Sequence, residues 1–335
     1  MMSEVSAAAL VAAFVAASAA WLARASRRRV TGSTVGGTRR LAWRALQALS
    51  LLMAVAALAT AAVLGWYGHR PQPPALRQPL FAGVRYVREV RRFPRPLVIH
   101  RVRVDLRAKG LSFLVTPPAA LGSKRPLRGA TTSDFLAKHR LQLAINGQVF
   151  SPWHARGPFD YYPHRGDPVS VSGFNVSRGV VYSRGRRRSR TLFISRDNQA
   201  SIGSPRGAIY NALSGQQLLL HGGRLSRRVT RARRVWLHPR TAVGLDAEKR
   251  YLFLVVVDGR QPNYSEGMTL RETAQLLLGI GAHDAVNLDG GGSSAMVIEG
   301  SDGKPQLLNS PVHGRIPGRE RVVGNHLGLF AARRR

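Results

Sequence analysis

The hydrophobic pattern divides the chain near position 70. Val5–Ala23 runs 19 residues without a charge, and Leu46–Tyr67 runs 22. Each length suits a membrane-spanning helix. Arg24, Arg27, Arg28, Arg29, Arg39, Arg40 and Arg44 lie between the two runs, and by the positive-inside rule that linker is cytoplasmic. Trp66 and Tyr67 close the second run, where interfacial aromatics belong. A later translation start would leave one signal peptide or signal anchor, with the same outcome for everything downstream. Residues 1–70 therefore read as a membrane anchor, and 71–96, opened by Arg70-Pro71-Gln72-Pro73-Pro74, as a stiff linker. Residues 97–331 read as one domain outside the cytoplasm.

Within that domain the apolar period is mostly two. Val98, His100, Val102 and Val104 share one face of 97–106, with Ile99, Arg101, Arg103 and Asp105 on the other. Short strands are predicted at 111–115 and 141–145, and a helix at 132–139 capped by Thr132 or Ser133. Residues 151–168 form a long loop rich in Pro, Gly and aromatics. There Trp153, His154, Tyr161, Tyr162 and His164 either stack on a sugar ring or pin the loop on themselves. The runs 241–245 and 251–257 make a hairpin around Asp246–Lys249, which sets Arg240 opposite Val255 or Val256 and near Asp258. Thr269 and Glu272 form a capping box ahead of a helix with Leu270, Ala274, Leu277 and Leu278 as its stripe, ended by Gly279 and Gly281. A strand follows over Ala285–Asp289. Strand, helix and strand in sequence predict a βαβ crossover with parallel strands. The fold class expected is α+β: a mixed β-sheet core with a few helices, including this crossover, behind one or two transmembrane helices.

The crossover carries the candidate chemistry. Parallel strands end on one rim, so Asp258 and Asp289 meet there with Arg240 beside them. If the strands are neighbours, the carboxylates lie on the order of 5–10 Å apart, a range that spans both glycosidase geometries. Gly290-Gly291-Gly292-Ser293-Ser294 follows Asp289 directly, and successive N–H groups in such a turn can cradle an anion. The pattern of a Walker motif is absent, and residues 294–298 read as a return strand.

Composition changes the picture in one respect. There are 51 Lys+Arg against 17 Asp+Glu, for a net charge of +34. Eight of the bases and one of the acids lie in the first seventy positions, leaving about +27 beyond them. Such a field favours polyanions. The arginine runs 184–190 and 224–234 lack interleaved aromatics and any nucleic-acid reader motif, so they read as solvated or polyanion-facing hairpin edges. The chain has no cysteine, which excludes disulfides, zinc–thiolate sites and thiol nucleophiles.

Asp258-Gly259-Arg260 and Asn287-Leu288-Asp289-Gly290-Gly291-Gly292-Ser293-Ser294 resemble the phosphodiester glycosidase family. Arg240-Thr241-Ala242-Val243-Gly244 and Arg321-Val322-Val323-Gly324-Asn325 extend the resemblance over roughly residues 97–331. It implies hydrolysis of a sugar-1-phosphodiester between the anomeric carbon and oxygen, in envelope or extracellular polysaccharide metabolism. On that reading Asp289 is the nucleophile or base and Asp258 the second carboxylate. Arg240 holds the departing phosphate with the N–H groups of Gly290, Gly291 and Gly292 and with Ser293 and Ser294, and Arg260 adds a second phosphate contact. Asn146 and Asn287 hold sugar hydroxyls or orient Asp289, and Asn325 completes the binding set. No cofactor is expected, although Asp258, Asn287 and Asp289 offer oxygen ligands that suit Ca²⁺ or Mg²⁺. His238 and His283 stay outside the catalytic set. The chain departs from the family at Asn146-Gly147-Gln148-Val149-Phe150, where members usually carry Asn-Gly-Gly-Phe-Phe. The rival reading is a non-catalytic envelope protein that binds anionic glycan. Nucleic acid is not an expected partner.

Overall fold

A computed structural model describes residues 37–157, 160–185, 190–231 and 236–334. The first hydrophobic run, 5–23, lies outside the described residues. The chain forms two compact units, 1–70 and 71–335. In the first, helix α1 spans Gly37–Gly68. Its Trp43–Gly68 stretch is long and apolar enough to cross a membrane, by length and composition.

The second unit is built on two antiparallel sheets. The strands of these two sheets, in chain order, are β1 (Leu76–Phe81), β2 (Val84–Arg91), β3 (Leu97–Asp105), β4 (Ser112–Val115), β5 (Leu143–Asn146), β6 (Gln217–His221) and β7 (Arg224–Leu225). Then come β8 (Arg240–Leu245), β9 (Tyr251–Val257), β10 (Asp284–Asn287), β11 (Met296–Glu299), β12 (Pro305–Leu307) and β13 (His326–Phe330). The larger sheet has the order β1-β2-β3-β9-β8-β10-β6-β7, and the smaller β12-β11-β5-β13-β4. A further five-stranded sheet of short strands covers 174–214. Residues 71–96, expected as a linker, instead contribute β1 and β2, and β2 pairs with β3 along its whole length.

The apolar run of β9 is explained by burial on both faces. Leu252, Leu254 and Val256 pack against Leu143, Ile145, Met296 and Leu327 of the smaller sheet. Phe253, Val255 and Val257 pack against Ala274, Leu276 and Leu277 of helix α3 (Leu270–Gly279). Each such side chain stabilises the fold by about 1.5–3 kcal/mol relative to exposure. Helix α2 (Thr132–His139) covers the outer face of the smaller sheet through Phe135 and Leu136, which completes helix, sheet, sheet and helix as four layers. Its cap is Thr131, one residue earlier than expected, because Thr131 and Asp134 close the capping box. In α3 the predicted box forms as written: the Thr269 hydroxyl accepts from the Glu272 N–H, and the Glu272 carboxylate accepts from the Thr269 N–H.

Two expectations about the core need correction. β9 and β10 are not neighbours: β8 lies between them and pairs antiparallel with both. The hairpin partner of Arg240 is Val257 rather than Val255 or Val256. The turn is longer than the sequence suggested, because Lys249 adopts a left-handed conformation (φ 57°) while Asp246 and Tyr251 close the loop through two hydrogen bonds. The glycine turn does join two strands, but of different sheets: it carries the chain from β10 across to β11.

Candidate active site

The crossing between the sheets is pinned by Asn146, fully buried at the end of β5. Its Oδ1 accepts from the Thr241 hydroxyl (2.7 Å) and the Ala295 N–H (3.1 Å), and its Nδ2 donates to the Asp289 carbonyl (2.8 Å). The Asp289 N–H donates to the Gly147 carbonyl (2.9 Å). One asparagine thus ties both sheets to the backbone of Asp289 and fixes where its carboxylate emerges. Asp289 Oδ1 accepts from Gln216 Nε2 (3.1 Å) and the Gly290 N–H (3.0 Å). Burial raises the Asp289 pKa above the ordinary carboxylate value, against the opposing pull of a hydrogen bond from Ser293 and the charge of Arg321.

The glycines serve mainly to let arginines in. A Cβ on Gly292 would lie 2.6 Å from Arg321 Nη2, and one on Gly291 would lie 3.2 Å from Arg260 Nη1. Gly291 also needs its positive φ of 63°. The expected nest of free N–H groups is not what the turn presents. The Gly290 N–H is spent on Asp289, and the Gly291 N–H on the Pro239 carbonyl (2.9 Å). The positive charge over the turn comes from two guanidinium groups instead.

Each guanidinium is held by a neutral histidine. Arg321 donates from Nε to His313 Nδ1 (3.1 Å) and from Nη1 to Ser293 Oγ (3.3 Å). Arg260 donates from Nη2 to His238 Nδ1 (3.2 Å). Burial, reinforced by Arg321 and Arg319, pulls the His313 pKa down to about 4, and burial with Arg260 and Arg240 lowers that of His238. The pKa values of Arg260 and Arg321 are also lowered, by burial first and then by neighbouring arginines, while Asp289 pulls both the other way. Buried like charges around one carboxylate leave an excess of positive potential, which is a site for an anion.

Aromatic rings extend this strip on both sides. The Arg321 guanidinium lies 4.8 Å from the Trp153 ring centre, Trp153 stacks on Tyr161 (6.3 Å, 14°), and Tyr161 meets His313 edge-on at 4.6 Å. On the Arg260 side, Trp236 stacks on His238 at 6.4 Å and 2°. The Arg321 side opens into a cavity of about 470 Å³ lined by Trp153, Tyr161, His164, His313 and Arg319.

Of the residues singled out from the sequence, Asp289, Arg260, Ser293 and the turn Gly290–Gly292 meet here. The others lie buried or half-buried around it. Asp258 stands at the same end of the larger sheet as Asp289, with β8 between their strands, but its side chain turns into a buried network. Its side chain is wholly buried, with Oδ2 accepting from His100 Nε2 (3.1 Å) and Oδ1 from Asn309 Nδ2 (3.0 Å) and the Ser310 N–H (2.9 Å). It supports the turn from below, since Asn309 Nδ2 also donates to the Ser294 carbonyl (3.1 Å). Arg240 feels the charge of Arg260, and burial brings its pKa down to about 10, but its Nε and Nη2 donate to the carbonyls of Met268 (2.8 Å) and Trp236 (3.0 Å). Asn287, Ser294 and Asn325 are buried. Asn287 donates to Gln217 Oε1 (3.1 Å), and Asn325 Oδ1 accepts from the Gln148 N–H (2.8 Å). Gln148 itself is buried, its Oε1 accepting from the Val149 N–H.

Asp258→Asn is therefore expected to destabilise the fold, by about 1–3 kcal/mol, because an amide NH₂ would face buried donors that the carboxylate now accepts from. Turnover measured on the folded fraction at low temperature should survive. A full loss of turnover with an unchanged melting temperature would instead place Asp258 in the chemistry.

Sequence reasoning missed Arg321 as a site residue, along with Gln216 and His313. None stands in a local pattern that marks it. Arg321 enters from a loop 32 positions after Asp289, and its one signal was its place at the head of the Arg321-Val322-Val323-Gly324-Asn325 block.

The profile of the phosphodiester glycosidase family matches residues 139–330, a span that holds every group on the strip. The chain belongs to that family. A solved zebrafish relative, the N-acetylglucosamine-1-phosphodiester alpha-N-acetylglucosaminidase catalytic domain auto-inhibited by its pro-peptide, shares the fold. It is 22% identical, with a TM-score of 0.51 over 80% of this chain and 86% of that one. A putative exported protein from Burkholderia pseudomallei is 18% identical over 70% and 74% of the two chains, with a TM-score of 0.47. A hypothetical protein from Synechocystis is 16% identical over 77% and 64%, also at 0.47. No curated protein matches the chain. This family member places its two arginines on the glycine turn, next to the one site carboxylate that is raised by burial.

Proposed function

We propose that this protein hydrolyses a sugar-1-phosphodiester, breaking the bond between the anomeric carbon and the phosphate oxygen. The observation that carries the reading is the enclosure of Asp289 beside Arg260 and Arg321 over Gly291–Gly292. Water contributes a hydroxyl to the anomeric carbon, the phosphate monoester leaves with the bond electrons, and a proton passes to solvent. Phosphate is a good leaving group, so stabilising its growing negative charge matters more than protonating it. Arg260 and Arg321 do that, held in place by His238 and His313. Asp289 supplies the carboxylate, as nucleophile on the anomeric carbon or as base on the water. The stereochemistry of the released sugar separates these two. Gln216 and Ser293 orient it. The rings at Trp153–Tyr161 and at Trp236–His238 offer faces to the groups on either side of the phosphate. The reading calls on no cofactor and expects turnover to survive a chelator.

The envelope setting rests on α1, which fits a signal anchor. With a sugar-1-phosphodiester of defined aglycone, free sugar and phosphomonoester should appear in equal amounts. Tight binding of the diester without turnover would favour a non-catalytic glycan-binding protein.

A further inference from the structure

Helix α3 covers the strands at the centre of the larger sheet, and the same face over β1–β3 carries a row of arginines. Alternation directs them there: Val84, Tyr86, Val102 and Val104 point into the core between the sheets, so Arg85, Arg101 and Arg103 point the other way. Arg85 and Arg103 are direct cross-strand partners, and Arg77 faces Val87, which in turn faces Arg101. Like charges placed opposite one another on a sheet are destabilising. Glu89 offsets Arg101 (3.0 Å) and Asp105 offsets Arg250 (3.1 Å). Among the described residues no carboxylate lies within ion-pair distance of Arg77, Arg85 or Arg103. These three exposed side chains line a groove of about 850 Å³.

The groove leads toward the site. It shares Arg101 and Ile280 with a second cavity of about 350 Å³ that runs along α3 past Arg95 to Met268. Met268 pairs with His238 through two backbone hydrogen bonds, and His238 holds Arg260. Two adjoining cavities thus lead from the exposed arginines of β1–β3 along α3, where Arg91, Arg95 and Arg101 pair with Glu89 and Glu272, to Met268, one backbone pairing from His238.

We propose that this groove binds a phosphate-bearing polysaccharide, holding the chain whose linkage is cleaved at Asp289. The inference rests on the function proposed above, and it adds that the substrate is a polymer bound well beyond the scissile bond. Charge complementarity favours a polyanion. The Tyr251 ring is already engaged by Arg103 (4.6 Å) and Arg250 (4.9 Å), which disfavours a groove built to stack nucleic-acid bases.

The test compares the whole protein in detergent with the triple variant Arg77→Gln, Arg85→Gln, Arg103→Gln, both carrying Asp289→Asn, by anisotropy of fluorescently labelled phosphomannan. The variant should bind about tenfold more weakly near physiological salt, with a salt dependence shallower by roughly two to three ions, and with the melting temperature retained. With Asp289 intact, the three substitutions should leave kcat/KM on a small sugar-1-phosphodiester unchanged and raise KM on the polymer. Polymer affinity within twofold of the unsubstituted groove would overturn the proposal. So would a loss confined to phosphatidylglycerol vesicles or to duplex DNA, since either would assign the groove to another partner. If polymer binding depends on the arginines but neither substrate is turned over, the groove stands and the proposed reaction falls.

Discussion

Replacing Asp289 by asparagine is expected to slow hydrolysis of a sugar-1-phosphodiester by about 10²–10⁴-fold while raising the melting temperature at neutral pH. Both effects follow from its enclosure. Asn keeps the shape and can still accept from Gln216 and the Gly290 N–H, so the turn stays in place. What disappears is the charge. Burial raises the carboxyl pKa in the folded protein, so the folded state holds this proton more tightly than the unfolded chain does. Its contribution to stability is complete below the unfolded pKa and is lost as pH rises through the raised folded value. At neutral pH the ionised group is therefore a cost to the fold that asparagine removes. The same shift sets the pH profile. The reaction needs the ionised carboxylate, so the acid limb of kcat/KM should lie above the ordinary carboxylate value. His313, with its pKa near 4, is neutral well before the assay range and adds no limb near neutrality. Thermal melts and a pH–rate series check both parts. A melting temperature that falls together with activity would make Asp289 a structural residue.

Arg321→Ala should lower kcat by about 10²–10³-fold, the usual loss when one donor to a developing anion is removed. Arg321 touches Ser293, His313 and the Trp153 ring, and its charge reaches Asp289. Removing it takes away phosphate stabilisation and leaves the glycine turn without its cover. Lysine should restore little, because a point charge cannot donate to His313 and Ser293 while also lying against the indole. The measurement is kcat and KM for Arg321→Ala and Arg321→Lys side by side. Recovery of most of the rate by lysine would reduce the role to net charge alone.

The fold was legible wherever the local pattern had a physical cause that acts locally. The Thr269–Glu272 capping box gave the start of α3, and the β-branched run at 251–257 gave a strand. What could not be read was pairing. Nothing near 284–289 shows that β8 inserts between β9 and β10, because strand order is decided by contacts between distant segments. That insertion puts the width of β8 between the strands that lead to Asp258 and Asp289. Asp258 turns into a buried network with His100 and Asn309, while Asp289 lies among arginines. The glycine turn was visible as chemistry, but its reason was not. The sequence suggests free N–H groups, whereas the folded turn makes room for Arg260 and Arg321. The strand hairpin at 76–91 was hidden by the prolines that precede it, which made the whole segment look like a linker.

The central claim is that water enters at the sugar and not at the phosphorus. Hydrolysis of a sugar-1-phosphodiester in heavy-oxygen water, followed by mass spectrometry of both products, tests it directly. The account predicts heavy oxygen in the freed sugar and none in the phosphomonoester. Heavy oxygen in the phosphate would mean cleavage between phosphorus and oxygen, and would contradict it.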